Sequence, residues 1–290
     1  MTRRGARQGR VAKPRRAAAH ARRPGPNLRH RMRRTLPAPG RIAAGLLAGA
    51  LIAAVLALNN GPWLRVGRIA WAGERYTTAS QLRSVLAALD GTALLTVDAS
   101  GVAARLARLP AVAEARVEAM VPDSVKVTIV ERPAAFVWQT SAVRLLGAAD
   151  GTLIGQLALQ ADLPRDLAAL PLVDDRRVES HQMIVGDRID PATLAAAVRL
   201  VAVDPAALGS TAIHLALRVT HDDGFVLVSG QPAWLADFGF YPLLDEQDLT
   251  ALDQRIDAQV AAVRTLFSVQ PEGKVSWVDV RDPGRVYWRP

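Results

Sequence analysis

The side chains that could do chemistry are few and scattered. Of the five histidines, His20 and His30 fall in an arginine-rich stretch and read as solvated. His181, His214 and His221 stand alone, none at the HExxH spacing that puts two imidazoles on one helix face around a metal. His221-Asp222-Asp223-Gly224 sets three possible metal ligands in a row, but between two strand-like stretches it reads as a turn. Asp174-Asp175-Arg176-Arg177 reads as a solvated loop. There are no cysteines, which removes disulfides, Cys-zinc sites and thiol nucleophiles together. No GxSxG elbow, P-loop or dinucleotide glycine fingerprint occurs either. A carboxylate pair assembled by the fold keeps an extracytoplasmic hydrolase open as an alternative. The expectation is otherwise a non-enzyme with no cofactor and no metal.

The elements that would position any site begin with an uneven distribution of charge. The net charge of +9 is an average over two unlike parts. Residues 1–41 contain 14 Arg and Lys and no Asp or Glu; the rest carry 22 basic groups against 27 acidic ones. The basic segment has no Phe, Trp or Tyr and is broken by Pro14, Pro24, Pro26, Pro37 and Pro39, so it cannot bury enough apolar area to order itself. With no aromatic platform for bases, its phosphate-seeking charge is assigned to anionic membrane lipids and not to nucleic acid.

Ile42–Leu58 is a 17-residue run with no charged side chain. As helix it measures about 25 Å, within the range that spans a bilayer. Arg41 can snorkel at one end and Trp63 can anchor the other. The positive-inside rule places the tail in the cytoplasm and the rest outside. A cleaved signal peptide fits less well, because Leu58 and Asn60 make a poor small-residue site. Gly45 and Gly49, extended by Ala53, form a small-residue row on which another membrane helix could pack.

Beyond the span the hydrophobic period changes. Val66–Trp71 reads as a strand closed by Gly73. Thr78-x-x-Gln81 is a capping box that opens a helix carrying Leu82, Val85, Leu86 and Leu89, stopped by Asp90-Gly91. The apolar stretch Leu94–Asp98 leads to a second helix with Val102, Leu106 and Leu109 on one face, ended by Pro110. Two alternating strands follow. Ala113, Ala115, Val117 and Ala119 share a face on the first; after Pro122-Asp123-Ser124, the residues Val125, Val127 and Ile129 share a face on the second. The order β-α-α-β-β implies a three-stranded sheet with two helices on one face.

These residues carry a resemblance. Val66-Gly-Arg-Ile69 with Gly73, Gly91-x-x-Leu94-Leu95-x-Val97-Asp98, Leu109-Pro110-x-Val112, and Val121-Pro122-Asp123-Ser124 leading to Glu131-Arg132-Pro133 and Ala135 resemble the POTRA domain of the bacterial cell-division family FtsQ (DivIB). Where that family has an aromatic after Leu-Pro, this chain has Ala111. Tandem POTRA modules of outer-membrane assembly proteins are the related alternative, with polypeptide transport as their function.

The remainder shows short strands and two helices. Strand signals are Phe136–Trp138, Leu153-Ile154 after Asp150-Gly151, the alternation Ile213/Leu215/Leu217/Val219, and Phe225–Val228 after Asp223-Gly224. Pro191–Val203 reads as a helix capped by Asp190, and Leu249–Phe267 as an amphipathic one with Leu252, Ile256, Val260, Val263 and Phe267 inward. The chain closes with Lys274–Arg281, the turn Asp282-Pro283-Gly284, and Arg285–Pro290. This ending is similar to the last two strands of FtsQ, with Asp279, Arg281, Trp288 and Pro290 as matching landmarks and Asp282 where many relatives have an aromatic.

The expected fold class is therefore α+β: a disordered basic tail (1–41), one transmembrane helix (42–60), a POTRA domain (61–131) and a mixed β domain with two helices (132–290). The resemblance implies a divisome scaffold in the cell inner membrane at the septum, N-terminus cytoplasmic. It would recruit FtsB and FtsL-like proteins through the C-terminal β edge for septal peptidoglycan synthesis, and other divisome proteins through the POTRA domain and the membrane helix. Trp277, Asp279, Arg281, Arg285, Tyr287 and Trp288 are the expected partner-binding residues. One of Tyr287 and Trp288 should pack inward while the other is offered outward, because they alternate along a strand.

Overall fold

The computed structural model of the chain describes residues 39–60, 64–241 and 249–290. The tail up to residue 38 and Trp63 lie outside the described residues, and with them the expectations placed there. The chain divides into two compact units, Met1–Ile52 and Ala53–Pro290.

Helix α1 runs without a break over Pro39–Asn60, 22 residues. Its described side chains from Ala43 to Ala57 are all aliphatic or glycine, and all are exposed. That stretch measures about 22 Å at 1.5 Å per residue. Among the described residues, no helix is long and apolar enough to cross a membrane. Gly45 and Gly49 are exposed on α1, with nothing within 4 Å of where a Cβ would stand.

The segment after α1 folds into the expected β-α-α-β-β unit. Strand β1 is Arg68–Ala72, helix α2 Ala79–Leu86, helix α3 Ala99–Leu106, strand β2 Val112–Met120 and strand β3 Ser124–Glu131. The capping box is present: Thr78 Oγ1 accepts from Gln81 N, and the Gln81 side chain accepts from Thr78 N at 2.8 Å. Asp98 caps α3 through the Gly101 amide. The sheet order is β1-β3-β2, which puts β3 in the centre, parallel to β1 and antiparallel to β2. Val125, Val127 and Ile129 of β3 meet Leu82, Leu86, Val102 and Leu106 of the helices in one core.

Three details depart from the expectation. Val66 stands before β1 and bonds to the 91–92 loop, its amide donating to Thr92 O and its carbonyl accepting from Gly91 N. Leu94–Thr96 is a single 3₁₀ turn. On β2 the pairing slips between Val112 and Glu114, so Val112, Ala115 and Val117 turn inward and Ala113 is exposed; Ala119, near the strand end, is exposed too.

The second part is a nine-stranded sheet of order β12-β11-β10-β9-β8-β7-β4-β5-β6. Its strands are β4 Phe136–Gln139, β5 Val143–Gly147, β6 Leu153–Ala158, β7 Leu172–Asp175, β8 Leu215–Thr220, β9 Gly224–Gly230, β10 Ala233–Gly239, β11 Trp277–Asp279 and β12 Tyr287–Arg289. Helix α4 (Pro191–Val201) connects the parallel pair β7 and β8, and α5 (Leu249–Val269) connects the parallel pair β10 and β11. Parallel neighbours need such crossovers. Both helices contribute to one core with Trp138, Phe225, Leu227, Trp234 and Phe238. The opposite side of β4, β5 and β6 is also covered: Val137, Leu146 and Ile154 pack with Ala111 from the first unit of sheet, and Tyr76 lies against them.

Several expectations for this part are corrected. Asp174 and Asp175 are not a solvated loop but the end of β7. Asp175 is fully buried, accepting from Trp138 Nε1 at 2.9 Å and from two guanidinium nitrogens of Arg177. Ile213 does not join β8; it is exposed, because Glu272 holds the preceding Ser210 and Thr211 in a loop and also accepts from Trp234 Nε1. On α5 the fully inward residues are Leu252, Ile256, Gln259, Val263 and Leu266, with Val260 and Phe267 only flanking the core. His221-Asp222-Asp223 is the turn between β8 and β9.

Candidate functional site

The terminal sheet edge is built from the turn outward. Gly284 adopts φ +77°, a left-handed conformation that suits glycine. Arg285 N donates to Asp282 O at 3.2 Å. This reverses the chain so that β12 lies antiparallel on β11, with Trp277 opposite Arg289, Val278 opposite Trp288 and Asp279 opposite Tyr287. Val278 is buried in the helix-covered core, so Trp277 and Asp279 face the other way. Ser276 fastens the terminus, its amide donating to Arg289 O at 2.9 Å and its hydroxyl to Pro290 O at 2.7 Å.

The six residues singled out from sequence separate into two groups. Trp277, Asp279 and Arg281 are occupied within the domain. Trp277 Nε1 donates to Asp237 Oδ2 at 2.7 Å, and the Arg289 guanidinium stacks 4.6 Å above the Trp277 ring. Arg281 grips Asp279 with two bonds of 3.0 and 2.7 Å, and reaches Asp223 Oδ1 at 3.3 Å and Asp222 O at 3.4 Å. Gly239, at φ +85°, leaves room for the Arg281 stem, whose Cγ would stand 3.1 Å from an added Cβ. Burial tends to raise the Asp279 carboxyl, but the hydrogen bonds from Arg281 outweigh it and hold the group below its ordinary value.

Arg285, Tyr287 and Trp288 form the outer group. Arg285 is exposed and pairs loosely with Asp282 at 3.5 Å. Tyr287 is 47% exposed and Trp288 39%, so neither packs inward as one of them was expected to. The reason is position: β12 ends the sheet, and no further described element covers the strand on its outer side. Beside it a groove of about 450 Å³ runs between α5 and the 282–284 turn, with Ala258 and Ala262 on its floor and Arg255 and Arg285 at its rim.

Asp237, Asp223 and Gly239 support this edge and escaped sequence reasoning. The one signal was Asp237 itself, a carboxylate inside the apolar run Trp234–Phe238. It is buried, and burial, helped by nearby Asp223 and opposed by the Trp277 hydrogen bond, pushes its carboxyl up to about 6. Among the described residues, no cluster of His, Asp and Glu is arranged to hold a metal ion.

Beyond α1, a three-stranded β-α-α-β-β module is followed by the nine-stranded sheet that β12 ends. Residues 64–132 match the family model for the POTRA domain, FtsQ-type. That module is a POTRA domain of FtsQ type. No curated protein matches the chain.

Proposed function

We propose that this protein is a bitopic membrane scaffold of bacterial division, taking FtsB and FtsL-like partners on its C-terminal edge. The FtsQ type of the matched POTRA domain supports a division-related scaffold role. The single observation that carries the binding mode is β12, a terminal strand with exposed Tyr287 and Trp288 that no described strand pairs on its outer side. An incoming strand can pair with such an edge, its main chain supplying affinity and its side chains specificity. Tyr and Trp are the residues most enriched among interface anchors. Trp277, Asp279 and Arg281 act behind the edge, holding β11 against Asp237 and the 221–223 turn so that β12 is presented rigidly.

The anchor belongs to the same reading. The uncharged run Ile42–Leu58 lies within one continuous helix, and the excess of arginine before it fixes the N-terminus in the cytoplasm under the positive-inside rule. The domain limits proposed are 61–131 for the POTRA domain and 132–290 for the β domain, with Gly45 and Gly49 available to a neighbouring membrane helix. Depletion of the protein in its host tests the role: cells should filament, and a fluorescent fusion should gather at the septum. Normal division with uniform envelope fluorescence would contradict it.

A further inference from the structure

The POTRA domain exposes four large apolar side chains: Leu95, Met120, Val121 and Val130. Three of them gather at one end of the domain. Met120 pairs with Ser124, and Ser124 pairs with Arg68, the first residue of β1. The amides of Gly67 and Arg68 both donate to Asp123 O, at 2.9 and 3.2 Å, so the β2–β3 hairpin tip adjoins the point where the chain enters the domain. The loop before Leu95 reaches the same point, since Ala93 bridges Arg65 and Thr92 O accepts from Val66 N. Leu95, Met120 and Val121, at 61%, 51% and 74% exposure, thus surround the entry residues.

Leu64, where the described domain begins, lies six residues after Leu58. Fully extended, that tether reaches about 20 Å. With Ile42–Leu58 as the membrane anchor, that tether allows the entry end to lie no more than about 20 Å from the end of the anchor. Asp123, the acidic group at the hairpin tip, is paired with Arg68 at 2.8 Å, and the exposed Arg65 donates to Gly91 O at 2.9 Å, next to the exposed Asp90. The end therefore offers exposed apolar tips with its hairpin-tip carboxylate paired, so apolar contact is what would draw it into the interface.

We infer that Leu95, Met120 and Val121 form a membrane-contact pole that seats the POTRA domain on the bilayer interface. The pole fixes the height and tilt of the domain, and with them the direction in which the rest of the extracytoplasmic part extends. This rests on the anchor proposed above.

The absence of cysteine allows clean labelling. The full chain would carry Val121→Cys or Met120→Cys, each bearing a polarity-sensitive fluorophore, in vesicles of equimolar phosphatidylcholine and phosphatidylglycerol. Val130→Cys, near the far end of the same hairpin, is the control. Both pole labels should shift to the blue and be quenched by lipids with a quencher at headgroup depth, while the control emits as in water. Water-like emission at the pole, from protein that stays with the vesicles after alkaline washing, overturns the contact and leaves the anchor standing. Protein lost in the wash removes the anchor and the inference with it. A blue shift that persists in detergent and grows with protein concentration assigns the pole to a second copy of the chain and also overturns the proposal.

Discussion

Replacing Asp237 by Asn should stabilise the folded part beyond α1, and only above a definite pH. The carboxyl is buried on β10, where it accepts from Trp277 Nε1 and faces Asp223, Asp279 and Arg281. Its folded value of about 6 stands against 3.8 for the free group. The native state therefore holds this proton more tightly than the unfolded chain does. Stability from this group is complete below about pH 4, declines as pH rises, and levels off above about pH 6. Two units at 1.36 kcal/mol each bound the effect at about 3 kcal/mol. The value of about 6 already includes the attraction of Arg281 for the carboxylate, so the expected gain at pH 7.5 is about 1–3 kcal/mol. An Asn oxygen can still accept from Trp277, so the hydrogen bond need not be lost. In urea, residues 61–290 carrying Asp237→Asn should unfold at a midpoint about 0.5–1 M above wild type at pH 7.5 and at nearly the same midpoint at pH 4. Carboxylates with depressed values, such as Glu272 and Asp279, weaken both proteins alike in acid and cancel in the difference. A midpoint difference that is the same at both pH values, or a variant less stable at pH 7.5, would refute the reasoning.

Two further substitutions probe the packing. Ile129→Ala empties a buried site on the central POTRA strand and should cost about 2–5 kcal/mol, whereas Lys126→Ala, on the exposed face of the same strand, should stay within about 0.5 kcal/mol; equal urea midpoints would reject the register. Gln259 accepts from Tyr241 Oη at 2.6 Å and donates to Phe238 O and Val280 O, so Gln259→Ala strands buried polar groups and should cost about 3 kcal/mol, read from the same unfolding curves; a wild-type midpoint would show that water replaces the amide.

The POTRA domain was legible because each of its signals is local. The Thr78–Gln81 box, the stop at Asp90-Gly91 and the alternation of β3 each need fewer than ten residues of context. The slip at Ala113 was not legible, since a bulge is decided by the partner strand. In the large sheet, β4 and β5 are covered on both faces, by the helix-bearing core on one side and by the Ala111 and Tyr76 contacts on the other. Strands buried twice lose the alternation that marks a half-exposed strand, and β5 passed unread for that reason. Asp175 looked solvent-bound because its main neutral partner, Trp138, lies 37 positions away. The same holds for Ile213, whose exposure follows from Glu272 about 60 positions further on. The turn at Asp282-Pro283-Gly284 and the pairing of the strands on either side of it were legible because they too are local. That both aromatics remain exposed follows from β12 ending the sheet, a property of the assembled strands.

Titration of the full chain in detergent with the extracytoplasmic segment of an FtsB-like partner tests the central claim most directly. Deleting residues 285–290 should abolish binding while the POTRA domain keeps its unfolding transition. Trp288→Ala or Tyr287→Ala alone should weaken binding by about 2 kcal/mol, roughly thirtyfold. Wild-type affinity in the deletion variant would show that the partner binds elsewhere and that the β12 edge is not the site.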